Sequence, residues 1–159
     1  MGQSMKIKLL VLDVDGTLTD GKIYYTSSGK EIKAFDIKDG LGIKEIAAAN
    51  GIQCAVITGR KSPMVERRCT DLNIAHLYQG VSDKTECLKS VLEKEGISFE
   101  ETAYMGDDLN DLEAMEQCKI VGCPSDAAEQ IKERADFVSK KKGGDGAVRD
   151  FIEYLITLK

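Results

Sequence analysis

The sequence predicts an α/β protein, a doubly wound (Rossmann-like) parallel sheet with a protruding β-hairpin, and three observations carry that prediction. Short continuous apolar runs recur, among them Leu9-Leu10-Val11-Leu12 and Cys54-Ala55-Val56-Ile57, the pattern of strands buried on both faces. Between such runs, apolar residues return at helical spacing, as at Ile43, Ile46 and Ala47 or at Cys87, Leu88, Val91 and Leu92. Several runs end in polar, Gly-containing turns that carry carboxylates or hydroxyls, at the strand ends where open α/β sheets place their ligands.

Composition narrows the field. With 159 residues, 42% hydrophobic and 31% charged, the chain suits one globular domain spanning 1–159. A net charge of −5 argues against a nucleic-acid partner. No apolar run approaches the roughly 20 residues that cross a bilayer, so no membrane partner is expected. Met1-Gly2-Gln3-Ser4 reads as a frayed lead-in without the apolar region of a signal peptide. Five cysteines (Cys54, Cys69, Cys87, Cys118 and Cys123) form no Cys-x-x-Cys and read as reduced thiols of a cytoplasmic protein. The single histidine, His76, reads as structural, which argues against zinc sites and His-dependent triads. Chemistry then falls to carboxylates, hydroxyls, Lys and Arg.

Taken in order, the first strand ends in Asp13-Val14-Asp15-Gly16-Thr17. Residues two apart on an extended chain point the same way, so Asp13 and Asp15 crowd one space and need a cation or a proton. A hard ion such as Mg2+ answers that need; on these residues alone, an Asp-Gly turn whose second acid caps the bend answers it too. Next, Lys22 to Thr26 and Glu31 to Phe35 flank Ser27-Ser28-Gly29-Lys30 as a hairpin over about 20–36. Its Ile, Tyr and Phe side chains point to a face covered by another subunit. Lys38-Asp39-Gly40 leads into a helix stopped at Asn50-Gly51. The strand Gln53 to Ile57 follows, ending in Thr58-Gly59-Arg60-Lys61, where a hydroxyl and backbone N–H can meet a phosphate oxygen. Pro63 opens a helix through Met64, Val65, Arg68 and Leu72 that ends near Asn73.

Ile74 to Tyr78 is a third short strand, and Asp83-Lys84 opens the next helix. Thr102-Ala103-Tyr104-Met105 is a strand followed by Gly106-Asp107-Asp108-Leu109-Asn110-Asp111. Lys119 to Gly122 reads as the last core strand, with Pro124-Ser125-Asp126 capping a helix from Ala127 to Ala135. Phe137-Val138 forms an edge strand. The basic, Gly-rich stretch Lys140 to Gly146 reads as a mobile lid or intersubunit contact, and Ala147 to Leu158 as a final helix, a C-terminal unit of about 140–159.

Four of these segments together resemble the motifs of the haloacid dehalogenase-like phosphatase superfamily: Asp13-Val14-Asp15-Gly16-Thr17, Thr58-Gly59, Lys84 after a strand, and Gly106-Asp107-Asp108 with Asp111. The resemblance implies that Asp13 is the nucleophile and Asp15 the general acid/base. Thr58, Gly59 and Lys84 would hold the phosphate. Mg2+ would be held by Asp13, the Asp15 backbone carbonyl and Asp107, with Asp108 and Asp111 supporting Lys84 or the loop. The intervals between motifs leave no room for a cap domain, so the implied fold is the capless form of the haloacid dehalogenase-like sheet.

More closely, the chain resembles the 3-deoxy-D-manno-octulosonate 8-phosphate phosphatases. The resemblance rests on Asp13 to Gly21, Lys38-Asp39-Gly40, Ile57-Thr58-Gly59-Arg60-Lys61, Leu77-Tyr78-Gln79-Gly80 and Gly143 to Arg149. It implies a Mg2+-dependent phosphomonoesterase working through an aspartyl-phosphate in lipopolysaccharide precursor synthesis, a small anionic sugar phosphate as substrate, and a homotetramer in which hairpins meet. Arg60 or Arg68 would grip an anionic group of the sugar acid, with Lys61 adding a point charge. Nine-carbon keto-deoxy sugar acid 9-phosphates are the alternative substrates, against which Arg60-Lys61 favours the eight-carbon acid. From other classes, a phosphorylation-controlled receiver domain would place its acidic pair and acceptor in a different order. A catalytically idle oligomerisation module would have no chemical need for Asp13, Asp15, Thr58, Lys84 and Asp107 together.

Overall fold

The computed structural model describes residues 6–158; the lead-in expected at Met1 to Ser4 lies outside them. The apolar runs form β1 (Leu9–Leu12), β4 (Gln53–Ile57), β5 (His76–Tyr78), β6 (Thr102–Met105), β7 (Ile120–Cys123) and β8 (Phe137–Val138). Among the described residues these make a six-stranded sheet in the order β5-β4-β1-β6-β7-β8, parallel at every pairing. The winding reverses between β1 and β6. A crevice opens at such a switch point, beyond the strands' carboxyl ends.

Alternation along each strand divides the interior in two. Leu10 and Leu12 of β1, Cys54 and Val56 of β4, and Ala103 and Met105 of β6 face one layer. There they meet the helix that starts as α1 (Ile37–Leu41) and runs on as a wider turn over Gly42–Ala47, with α2 (Pro63–Asp71) and α6 (Ala147–Thr157). Leu9, Val11, Ala55, Ile57 and Tyr104 face the other layer, built on α3 (Lys84–Glu95), α4 (Leu112–Gln117) and α5 (Glu129–Arg134). Burial on both faces explains why the central strands are apolar throughout rather than alternating.

Local chemistry sets the ends of the elements. Ser62 caps α2 by accepting from Met64 N–H, with Pro63 at the first helical position. Asp83 caps α3 by accepting from Glu86 N–H, and Gly96 ends that helix in the left-handed region. Lys38, Asp39 and Gly40 lie inside α1 rather than ahead of it, because Asp36 supplies the cap by accepting from Lys38 N–H. Asp126 does not cap α5. Its carboxylate accepts from Gly143 N–H, and α5 starts only at Glu129.

The hairpin is present and shorter than its β-prone runs: β2 (Tyr24–Tyr25) pairs with β3 (Glu31–Ile32). Ile23, Tyr24, Tyr25 and Ile32 are exposed, while Phe35 packs against the core. The Gly-rich stretch is held within its own chain instead of lying free. Gly144 N–H donates to Thr17 O, Ser125 N–H to Lys141 O and Lys141 N–H to the Ser139 hydroxyl. No helix among the described residues is long and apolar enough to cross a membrane.

Candidate active site

The carboxyl ends of β1 and β6 flank the switch point, and each carries an acid. Asp13 follows β1, its N–H donating to Met105 O at 3.2 Å, so the two strand ends are stitched together there. Beyond it the chain makes one tight turn, Val14–Leu18, with Gly16 at φ +89. Glycine is required at 16 twice over: the φ is left-handed, and a Cβ would stand 1.9 Å from Asp107 Oδ2. The Thr19 hydroxyl clasps the turn by accepting from Gly16 and Gly21 N–H and donating to Val14 O. Thr17 Oγ1 reaches Asp107 Oδ1 at 3.5 Å.

Beneath Asp13 lies a buried ammonium. Lys84, the first residue of α3, donates to Asp13 Oδ1 at 3.0 Å and to Asp111 Oδ1 at 2.7 Å, and the Tyr104 hydroxyl donates to that same Asp111 oxygen at 2.8 Å. One carboxylate oxygen from each of Asp13, Asp107 and Asp111 lies within 4.8 Å of the others. Burial pushes all three carboxyls up to about 6, against the partial pull of Lys84. Burial alone would lower Lys84, but Asp13 and Asp111 hold it protonated above its usual range. Three carboxylates against one ammonium leave an excess of two negative charges, which a single divalent cation balances. The oxygen-only donor set, with Asp13 and Asp107 facing each other across it and Asp111 engaged by Lys84, also suits a hard ion such as Mg2+.

A cavity of about 200 Å3 opens above this cluster, lined by Asp13, Asp15, Thr58, Gly59, Arg60, Asp107, Asp108 and Asn110. Thr58 N–H is engaged by Tyr78 O, so the donors this turn can present are its hydroxyl and the Gly59 N–H. Asp108 is exposed and caps the following turn by accepting from Leu109 N–H at 2.8 Å. Asp111, fully buried, holds Lys84. The two acids named as supports therefore do different work, one shaping the loop and the other fixing the ammonium.

The basic residues divide. Arg60 reaches the cavity rim and there pairs with both oxygens of Glu31 at 3.3 Å. Lys61 turns into a neighbouring hollow against Gly80. Arg68 sits further off, donating to Asp36 O at 3.2 Å and stacked 5.6 Å over the Phe35 ring. Neither Lys61 nor Arg68 lines the cavity of its own chain. His76 stands beside Glu95 at 2.6 Å and has no part in the cavity.

Two further residues belong to the site, Asn110 and Lys33. Asn110 lines the cavity between Asp108 and Asp111. Lys33 has a side chain only 1% exposed and pairs with Asp15 at 2.5 Å and with Glu31 at 3.1 Å. Its signal was the alternation of the hairpin strand: Glu31, Lys33 and Phe35 share one side of an extended segment, and Phe35 marks that side as inward.

Residues 71–152 match the family model described as haloacid dehalogenase-like hydrolase. The 3-deoxy-D-manno-octulosonate 8-phosphate phosphatase of Escherichia coli BL21-DE3 is 46% identical over 156 residues, covering 98% of this chain and 82% of that protein. Its Haemophilus influenzae counterpart is 39% identical over 150 residues, covering 94% and 83%. Among solved structures, the Moraxella catarrhalis phosphatase of the same name, in complex with magnesium, phosphate and the sugar acid KDO, superposes with a TM-score of 0.93. The identity is 42%, with 98% of this chain and 89% of that one covered.

Proposed function

The chain belongs to the haloacid dehalogenase-like hydrolases and, among them, to the 3-deoxy-D-manno-octulosonate 8-phosphate phosphatases, and from that premise we propose how its residues hydrolyse this sugar acid phosphate with Mg2+ as cofactor. The observation that carries the reading is Asp13 held at a cavity floor by Lys84, beside Asp107 and below Asp15 and Thr58.

Asp13 is the nucleophile. Its carboxylate attacks phosphorus as the bond to the sugar oxygen breaks, giving an aspartyl-phosphate and splitting hydrolysis into two displacements. Asp15 gives a proton to the departing sugar oxygen, then takes one from the water that releases phosphate and regenerates the Asp13 carboxylate. The Thr58 hydroxyl, the Gly59 N–H and Lys84 hold the non-bridging oxygens and fix the line of attack. Asp13, Asp107 and the Asp15 backbone carbonyl would hold Mg2+, which would supply charge neutralisation between carboxylates and phosphate. Asp108 shapes the loop and Asp111 keeps Lys84 under Asp13. At the rim, Arg60 is the residue placed to meet the sugar acid.

The rest of the assignment follows from what the fold leaves exposed. We place the chain in a homotetramer whose hairpins meet. This is supported by exposed Ile23, Tyr24, Tyr25 and Ile32 on the hairpin, and by a hollow of about 280 Å3 that includes exposed Ile37 and Leu41 beside Arg68. Lys61 and Arg68, turned from their own cavity, are then available to a neighbouring subunit. Five unpaired cysteines support a cytoplasmic setting. We take the chain as a single unit, the described residues 6–158 sharing one sheet and its two helical layers. Sedimentation showing a monomer at working concentration would refute the tetramer.

The activity is tested by phosphate release with Mg2+ on eight- and nine-carbon keto-deoxy sugar acid phosphates and on simple sugar phosphates, comparing kcat/KM. The eight-carbon acid is expected to lead the panel. Equal turnover of all substrates would remove the substrate assignment, and none at all would remove the enzyme.

A further inference from the structure

The ion pair between the hairpin and Asp15 lies outside the two displacements of hydrolysis. Lys33 comes from the segment just after β3, crosses the top of the catalytic turn and buries its side chain, 1% exposed, against Asp15 Oδ1 at 2.5 Å. Its second partner is Glu31 at 3.1 Å, and Glu31 in turn holds Arg60. The result is an alternating chain of charges, Asp15, Lys33, Glu31 and Arg60, running from the cavity to its rim. Among the described residues only Lys33 reaches the Asp15 carboxylate, and it takes a single oxygen; Oδ2 is left without a partner in a side chain that is 28% exposed and lines the cavity.

We propose that Lys33 is a positioning residue for the reaction: the hairpin delivers its ammonium to Asp15 Oδ1, which fixes the carboxyl plane and leaves Oδ2 to exchange the proton with the sugar oxygen and then with water. The need for such an anchor comes from the catalytic turn itself. Asp15 sits inside the Val14–Leu18 turn with non-helical backbone angles, φ −69 and ψ 118, so no regular helix packs its side chain, and its χ angles are free unless something holds the carboxyl. An exposed ion pair would hold it weakly. A buried ammonium with two carboxylate partners holds it in one direction, and placing a reacting group about 1 Å astray costs about 10²-fold in rate. The hairpin is thereby part of the catalytic apparatus as well as a surface for assembly. This inference rests on the reading of Asp15 as the acid/base.

The test separates the two. kcat/KM is measured with Mg2+ on 3-deoxy-D-manno-octulosonate 8-phosphate, whose alkoxide must be protonated as it leaves, and on p-nitrophenyl phosphate, whose leaving group needs no proton. Because kcat/KM reports only steps up to the first bond cleavage, the water-activating role of Asp15 does not enter. Lys33→Met is expected to lower the value for the sugar phosphate by about 10²-fold, at least about tenfold more than for the aryl ester. In an Asp15→Asn background the same change is expected to add no more than about threefold to the loss on the sugar phosphate. If Lys33→Met does not fold, Lys33→Arg keeps the charge, moves the carboxyl, and carries the same comparison with a smaller bias. Equal losses on both esters, or full additivity with Asp15→Asn, would overturn the proposal while the acid role of Asp15 stands. Absence of bias in Asp15→Asn itself would remove the acid role and the proposal together.

Discussion

Gly143→Ala is a sharp perturbation because the cost is steric and its location is known. A Cβ at 143 would stand 1.9 Å from Gly16 O, 2.6 Å from Gly16 C and 2.9 Å from Thr19 O, all backbone atoms of the catalytic turn. An ordinary carbon–oxygen contact is about 3.3 Å, so turn and loop must separate by about 1.4 Å. Neither side can yield freely. Gly143 N–H donates to Asp126 and Gly144 N–H to Thr17 O, both at 3.1 Å, while Gly16 is pressed from its other side by Asp107. Overpacking of this kind costs about 1–3 kcal/mol of stability, and a displacement near 1 Å in the catalytic loop costs about 10²-fold in rate. Steady-state kcat/KM with saturating Mg2+, read beside the melting temperature, is the assay. Gly51→Ala is the control: φ is +73 and nothing lies within 4 Å, so it is expected to cost about 1–2 kcal/mol of stability and leave catalysis alone. A Gly143→Ala enzyme within about threefold of the parent would refute the view that the Gly-rich turn is a buttress under the catalytic loop.

Other consequences follow from the buried charges. Asp13, Asp107 and Asp111 titrate near 6 in the folded chain against 3.8 for an ordinary aspartate, burial being the main cause. The metal-free fold therefore binds protons more tightly than the unfolded chain, and stability present below about pH 4 is lost as pH rises through 6. One such group is worth about 3 kcal/mol, and the three share their effect. Scanning calorimetry in chelator should show a melting temperature that falls between pH 5 and 7 and is restored by Mg2+ at pH 7.5; a flat profile would contradict the charge excess. Lys84→Met strips the ammonium from between two buried carboxylates and is expected to cost about 3–5 kcal/mol at pH 7.5 and at least about 10²-fold in kcat; intact kcat would show that Lys84 is structural only.

The strands were legible because they are short, apolar and doubly buried: Gln53–Ile57, Thr102–Met105 and even the edge pair Phe137–Val138 occupy the residues their composition marks. Asp13 and Asp15 could be placed together from their spacing at a strand end, and the resemblance of the later motifs added Thr58 and Asp107, each after a strand on the same sheet edge. Residues brought in from the side escaped. Lys33 looks like any solvated lysine until the hairpin folds over the turn, and Phe35, expected on a face covered by another subunit, packs on the core of its own chain. Asp126 reads as a helix cap in local sequence, yet its partner is Gly143, 17 residues away. Glycines 143 and 144 suggest mobility by composition, whereas their lack of a side chain serves close backbone contact. For Arg68 and Lys61, charge suggested a ligand grip; only the direction of α2 and the turn before it shows them facing away from their own cavity.

Hydrolysis through an aspartyl-phosphate requires the Asp13 carboxylate, which Asp13→Asn removes. The amide keeps the shape and a hydrogen-bond acceptor beside Lys84 but cannot form the acyl phosphate. Rapid-quench release of phosphate from 3-deoxy-D-manno-octulosonate 8-phosphate with Mg2+, on a variant whose melting curve shows it folded, is expected to fall below detection. Phosphate released at a rate within about 10²-fold of the parent would contradict the nucleophile assignment.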